Sequence, residues 1–382
     1  KKKTSESESD FHAKNNLICA VMKKMLEKIR TDNDRLADLL TNPLLNIEKN
    51  DKKDNNTISK PTKFVCIDKP MTTLEELIEV GKIYETYKEE TDIYFNIDLQ
   101  IVNQLQEPLI KLNKMVGLNE IKQQILTKIL FYIQHLESQN NDYLHTVIQG
   151  KPGVGKTQIA KIMGEVYSAM GFLKKGTFTT VKRSDLVGGY LGQTALKTQA
   201  LLEENLGGVV LIDEAYSLGN QEKKDSFAKE CIDTINAFLS EHRSDFVCII
   251  AGYKKDLDSC FFSYNEGLRR RFPHVYEIED YTPNELRDIL LRKIEEYEWK
   301  YENIEHTFPL KYFEKAHKLF TFNGGSMESL FQNIKFIHSK RVLYLPPCEK
   351  KLLTIEDFKN GLAEFKQEKK KQKETFDYET IY

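Results

Sequence analysis

The stretch Gly150-Lys-Pro-Gly-Val-Gly-Lys156-Thr157 fits the phosphate-loop pattern G-x-x-x-x-G-K-[ST]. Gly150, Gly153 and Gly155 allow positive φ and close approach to an anion, so the loop they form with Pro152 and Val154 can turn backbone N–H groups toward phosphate oxygens. Lys156 would bring a point charge to the β- and γ-phosphates, Thr157 a hydroxyl for Mg²⁺, and Gln158 continues into a helix whose positive end faces the anion. A second pattern, Val209-Val-Leu-Ile212-Asp213-Glu214, is an apolar run that ends in two carboxylates. Asp213 would hold Mg²⁺ through its water shell, and Glu214 would orient and deprotonate an attacking water. Together these groups could bind a nucleoside triphosphate with Mg²⁺ and hydrolyse it.

Such groups converge only if the elements between them form a parallel sheet, because ligands bind beyond the carboxyl ends of its strands. The sequence supplies one. Thr146–Ile148 reads as the strand before the loop, and Thr177–Val181, Val209–Ile212, Phe246–Ala251 and Val275–Ile278 as further strands. Helical periods fall between them at Glu120–Leu136, Ala195–Glu204 and Ser226–Glu241, which predicts an α/β fold with helices on both faces of the sheet. Beyond Tyr281 the strands stop. Asn284–Tyr301, Lys311–Phe320, Met327–Tyr344 and Ile355–Phe365 read as helices of a separate, all-helical lid.

Ahead of the α/β region, apolar residues from Ala13 to Ile47 recur at helical spacing, and Thr72–Tyr87 reads as a helix capped by Thr72 or Thr73. A lead-in through Leu105, Leu109 and Leu112 is helical as well. The expected organisation is a disordered tail at 1–12 and a helical N-terminal region at 13–96 with a polar linker at 48–63. An α/β domain at 97–281, a helical lid at 282–365 and a charged tail at 366–382 follow.

The 382 residues suffice for two or three domains, and 56 basic against 58 acidic residues argue against a protein that coats nucleic acid. No run reaches the roughly 18 apolar residues that span a bilayer. The chain begins Lys-Lys-Lys without Met, as a fragment would, and no signal layout follows. Cys19, Cys66, Cys231, Cys248, Cys260 and Cys348 are scattered without metal-ligand spacing, so a reduced, cytoplasmic setting is expected.

Longer motifs carry a resemblance to a known family. Asp185-Leu-Val-Gly-Gly-Tyr-Leu-Gly-Gln-Thr194, Ile212-Asp-Glu-Ala-Tyr-Ser-Leu218, Ile250-Ala-Gly-Tyr253 and Gly267-Leu-Arg-Arg-Arg-Phe-Pro273 resemble the AAA+ ATPases. Within them the likeness is to the CbbX-type (red-type) Rubisco activases and the stage V sporulation protein K group. It runs from about Leu112 to Phe365. The resemblance implies that Val116, Gly117 and Leu118 line an adenine pocket. It also implies that Arg271, or else Arg269, acts as an arginine finger on a neighbouring subunit's ATP, whereas taken alone these arginines would simply complement a helix C-terminus. Tyr190, Leu191 and Gly192 resemble the central-pore loop that grips a threaded polypeptide.

Two departures stand out. Where a polar first sensor is common the chain has Ala251-Gly252-Tyr253, and Tyr253 could position water or be structural. The second-sensor arginine of the lid is missing, with Glu328 near its place; Arg341 or Lys335 could substitute. The resulting expectation is a Mg²⁺-dependent ATPase forming a homo-oligomeric ring, a hexamer, that remodels a protein client of unstated identity, with no membrane partner. A nucleic-acid-directed motor and an ATP-switched scaffold are the alternatives.

Overall fold

Short runs of β-branched and aromatic residues become strands, and i, i+3, i+4 apolar patterns become helices, in the computed structural model. It describes residues 63–379 apart from 91–92, 135, 137–142, 191, 221, 223, 244, 266 and 348–349. The tail at 1–12, the helical pattern at 13–47 and nearly all of the 48–63 linker lie outside the described residues, as do Cys19, Cys348 and Leu191.

Strand β1 (Lys63–Val65) precedes helix α1 (Leu74–Tyr87) and pairs in parallel with β2 (Ile93–Phe95). The 13–96 region was expected to be helical, so this pair is a difference. Lys-Phe-Val and Ile-Tyr-Phe are too short to show an alternation, yet they meet once α1 folds between them. Thr73 caps α1 in a capping box with Glu76. Helices α2 (Leu99–Gln104), α3 (Gln106–Lys114) and α4 (Asn119–Tyr132) follow. The last ends short of the expected Leu136.

Next come β3 (Thr146–Gly150), α5 (Lys156–Ala169), β4 (Phe178–Val181), α6 (Gln193–Glu204) and β5 (Val209–Ile212). They are followed by α7 (Ser226–Glu241), β6 (Val247–Gly252), α8 (Lys254–Cys260) and β7 (His274–Ile278). The five strands β3 to β7 form a parallel sheet in the order β4-β5-β6-β3-β7. Because side chains alternate across a strand, Val147, Val210, Ile212, Cys248 and Ile250 enter one core. Ile148, Val209, Leu211, Ile249 and Ala251 enter the other. Both faces are therefore apolar, as helices on both sides require.

The C-terminal part contains α9 (Pro283–Glu296), α10 (Leu310–Ala316), α11 (Asn323–Arg341) and α12 (Ile355–Glu379). It is helical apart from a two-residue parallel ladder, β8 (Lys300–Tyr301) with β9 (Leu352–Leu353), which interrupts the helix expected to reach Tyr301. Helix α12 runs on past Phe365 through the basic run at 366–373. Buried His338 ties the part together: its Nδ1 lies 2.9 Å from Asp357 Oδ2 and its Nε2 2.8 Å from Lys350 O. Among the described residues no helix is long and apolar enough to cross a membrane.

Two imidazoles, that of buried His145 and that of half-buried His274, sit at the amino end of the five-stranded sheet. His145 Nδ1 accepts from Cys248 N at 3.2 Å, while His145 Nε2 and His274 Nε2 are buried with no hydrogen-bond partner among the described residues. Burial pushes His145 down to about 3, helped by the positive charge of Arg271, and His274 down to about 4, helped by Lys128. Both rings stay neutral in the fold but take a proton at about pH 6.5 once unfolded. Their contribution to stability is complete above pH 6.5 and drains away as pH falls toward 4, by up to about 1.4 kcal/mol per pH unit for each group. Urea midpoints measured between pH 7.5 and 5 should fall accordingly, and the His145→Gln variant, whatever its absolute stability, should show a shallower slope; an unchanged slope would contradict this origin.

Candidate functional site

The loop after β3 turns back on itself before α5 begins, with Gly153 at φ 73° and Gly155 at φ 93°. Lys156, at the first turn of α5, folds under the loop: its Nζ donates to Gly150 O at 3.0 Å and to Lys151 O at 3.1 Å. Burial lowers the Lys156 ammonium below its ordinary value although Asp213 and Glu214 pull the other way. The Nζ also lies 5.2 Å from the centre of the Tyr253 ring. A cation desolvated in this way, held only by two carbonyls and a ring face, is ready to accept an anion.

Thr157 Oγ1 donates to Asp213 Oδ2 at 3.3 Å, which joins the start of α5 to the end of β5. The next residue, Glu214, has φ 51° and ψ 46°, left-handed backbone that costs a non-glycine residue about 1 kcal/mol or more. Its Oε2 is buried with no hydrogen-bond partner among the described residues. Tyr216 lies beside it, and burial together with the Glu214 carboxylate keeps that phenol protonated. The Tyr216 and Tyr253 rings are 5.5 Å apart, so Tyr253, just past β6, touches both the loop lysine and the ring beside Glu214.

Lys156, Thr157, Asp213 and Glu214 border a cavity of about 690 Å³, while Tyr216 and the expected Tyr253 stand behind them and do not line it. Of the sequence-expected residues, Val116, Pro152, Gly153, Gly155, Lys156, Thr157, Gln158, Asp213 and Glu214 line it. Gly150 and Val154 do not; Val154 is fully buried, and their carbonyls instead accept from Lys156 and from the Tyr281 hydroxyl, the latter at 2.9 Å. Gly117 and Leu118 also stand off the cavity. Gly117 packs closely on Glu285, and Leu118 lines a neighbouring, smaller cavity with Glu285 and Thr282.

The roof comes from the C-terminal helices, through Ile289, Arg292, Lys293 and Glu296 of α9 and Gly324, Gly325 and Glu328 of α11. It rests directly on the loop: Gly324 N donates to Gly153 O at 3.0 Å, and a Cβ at residue 153 would collide with Phe322 O. Arg341 and Lys335, the expected substitutes for a lid arginine, are engaged elsewhere. Arg341 binds Asp357 through Nε at 3.0 Å and Nη2 at 2.8 Å, and Lys335 Nζ sits 4.8 Å from the Phe331 ring centre. The lid cations at the cavity are instead Arg292 and Lys293, which helical periodicity alone did not single out. Their spacing from Ile289 and Glu296, i, i+3, i+4, i+7, was the available signal.

The arginine triplet lies outside this cavity. Arg271 donates through Nε to Ser240 Oγ and through Nη1 to Gly267 O, both at 2.8 Å. Arg269 pairs with Asp258 and stacks 4.1 Å from the Phe262 ring centre. Arg270, exposed between them, makes no hydrogen bond or ion pair among the described residues. Tyr190 is 75% exposed at the loop that leads into α6, with Gly192 at φ 81° beside it.

Comparison with known proteins fits this geometry. The profile of the ATPase family associated with various cellular activities (AAA) matches residues 146–280, from β3 to just past β7. The cfxQ-like protein R730 of Acanthamoeba polyphaga mimivirus is 40% identical over 293 residues, 76% of this chain and 72% of that protein. Stage V sporulation protein K of Bacillus subtilis is 35% identical over 60% of this chain and 70% of its own length. The chloroplastic ribulose bisphosphate carboxylase/oxygenase activase of Cyanidioschyzon merolae is 34% identical over 64% and 85%. With a phosphate-type loop, a paired carboxylate strand end and a helical roof on one parallel sheet, the chain belongs to the AAA family of ATPases, in the branch of the CfxQ-like proteins, Rubisco activase and stage V sporulation protein K.

Proposed function

We propose that this ATPase is Mg²⁺-dependent, works as a homo-oligomeric ring, a hexamer, and spends the hydrolysis of ATP on remodelling a protein client. The observation that carries the reading is the convergence of Lys156, Thr157, Asp213 and Glu214 on one cavity roofed by a second group of helices. In this reading residues 97–281 form the ATPase body and 282–365 the lid.

ATP would lie with its phosphates over the Gly153–Thr157 turn, where Lys156 exchanges its carbonyl partners for β- and γ-oxygens. A hydroxyl and a carboxylate oxygen 3.3 Å apart make a hard donor pair that suits Mg²⁺, an ion that keeps most of its own water, so Thr157 and Asp213 would hold it. When bound, the ion offsets negative charge on the phosphate oxygens. Glu214, with a buried carboxylate oxygen that no other described group engages, is the base that would orient a water and take its proton as the oxygen attacks the γ-phosphorus, while the bond from that phosphorus to the β-phosphate oxygen breaks and ADP leaves. Tyr216, beside Glu214, would fix the direction of that carboxylate, and Tyr253 packs on Tyr216 and faces Lys156.

The triplet Arg269 to Arg271 lies outside its own cavity, which suits service to a neighbouring subunit's ATP. Arg271 is assigned as the finger, released from Ser240 and Gly267 on assembly, with Arg269 held back by Asp258. Exposed Tyr190, with Leu191 and Gly192, is assigned to the pore, where an aromatic ring grips varied sequence through apolar area. The client is a polypeptide of unspecified sequence.

Three outcomes are expected. Lys156→Ala should lose nucleotide binding in an equilibrium titration, whereas Glu214→Gln should bind ATP and slow phosphate release by roughly 10²- to 10⁴-fold. Arg271→Ala should keep ATP affinity and lose turnover by about 10³-fold or more, and wild-type turnover should rise with protein concentration. If turnover of the wild type does not depend on concentration, the shared site is wrong. Tyr190→Ala should fail to unfold a client that the wild type unfolds, and full unfolding by the variant removes Tyr190 from the pore.

A further inference from the structure

Away from the nucleotide cavity, one amine stands in surroundings that suit a neutral nucleophile better than a cation. Lys128 of α4 turns toward α5 and β7, where its part-buried Nζ donates to the Tyr276 hydroxyl at 2.7 Å and lies 4.5 Å from the centre of the same ring. Beside it is a cavity of only about 10 Å³, walled by Ile125, Ile129, Met163, Val166 and Met170. The titratable groups that face it are the phenols of Tyr132, Tyr167 and Tyr276 and the imidazole of His274, which shares a face of β7 with Tyr276. Burial holds the Tyr167 and Tyr276 phenols protonated, so neither offers a negative charge. No carboxylate pairs with Lys128 among the described residues, and desolvation pushes its ammonium down to about 8. Two other half-buried lysines differ. Lys122 donates to the carbonyls of Asn113 and Met115 with Glu75 favouring its charge, and Lys156 donates to two carbonyls of the phosphate-type loop.

We propose that Lys128 is an acylation site of the folded chain, taking a short acyl group from an activated donor, an acyl phosphate or a thioester. Burial without an opposite charge is the general way to make a lysine nucleophilic near neutral pH. In the uncharged amine the bond to Tyr276 uses a hydrogen and leaves the nitrogen lone pair unused. That pair attacks the carbonyl carbon of the donor. The N–C bond forms, the C–O bond to phosphate or the C–S bond to the thiol breaks, and the leaving group departs with the electron pair. The proton shed by nitrogen passes to water, and an amide stands where the ammonium was. An amide carries no charge to be desolvated, still has one N–H for Tyr276, and no longer opposes a proton on His274. The narrow cavity favours a short acyl group over a long one.

The test is competitive labelling of the full wild-type chain with trace acetic anhydride, from neutral to alkaline pH, with each acetylated peptide quantified by mass spectrometry. Near pH 7.5 Lys128 should react about tenfold faster than the median exposed lysine, because its larger uncharged fraction outweighs its lower basicity. Its rate should reach half of the maximum near pH 8, and the advantage should vanish in the urea-unfolded chain. Acetyl phosphate and an acetyl thioester, offered separately, should then mark Lys128 ahead of the exposed lysines in at least one case, and the faster reaction identifies the donor. A rate no greater than that of exposed lysines, a half-rise at the ordinary lysine value, an advantage that survives unfolding, or failure of both donors would each overturn the proposal. Lys128→Arg keeps the positive charge and should erase the labelled peptide. Label that persists there belongs to another residue and overturns it as well.

Discussion

Hydrogen bonding of β6 to β3 on one side and to β5 on the other sets the distances on which the site depends. The register aligns Ile212 of β5 with Ile250 of β6, and Gln149 of β3 with Gly252. The loop that leads to Lys156, the ring of Tyr253 and the pair Asp213-Glu214 therefore emerge at one edge, each a residue or a few beyond its strand. A one-residue slip would turn every inward side chain of a strand to the opposite face and exchange the two cores. Close packing opposes this, since each face is already fitted to its own set of helices. Packing on the sheet thus fixes the position of charged groups that contribute nothing to that packing.

Residues whose role follows from local backbone chemistry were the most legible in the sequence. Gly153, Gly155, Lys156 and Thr157 declare a turn, a cation and a helix start within a few positions, and Asp213 closes an unbroken apolar strand. Val209–Ile212 and Ser226–Glu241 coincide with the observed elements for the same reason: long or strictly apolar runs leave little choice. Legibility fell where tertiary contacts decide. The β8–β9 ladder consists of two residues on each side, too few for any period. Gly117 and Leu118 match the motif yet turn toward Glu285, because what a short connecting segment faces depends on the helix packed against it. Arg292 and Lys293 lie in a helix rich in charge, and only the orientation of α9 over the cavity separates them from the solvated remainder.

The lid contact explains why the roof is sensitive to the loop below it. Asn323 accepts from Tyr281 N through Oδ1 at 3.2 Å and donates through Nδ2 to Asp280 Oδ1 at 3.2 Å. The Tyr281 hydroxyl in turn holds Val154 O. Sheet end, phosphate-type loop and lid are thus joined by polar contacts that close over a small set of buried groups. Such a network transmits displacement because its members cannot be satisfied separately. Apolar packing alone, which tolerates small slides, would do this less well.

The left-handed backbone of Glu214 and its buried oxygen, unengaged among the described residues, place two folding penalties on a single residue. A glycine there would relax the backbone and remove the orphaned oxygen, so selection for stability alone would replace this side chain. Random variants chosen only for heat resistance should accordingly accumulate changes at residue 214. On this reasoning the chain is held below its attainable stability by a glutamate kept for chemistry.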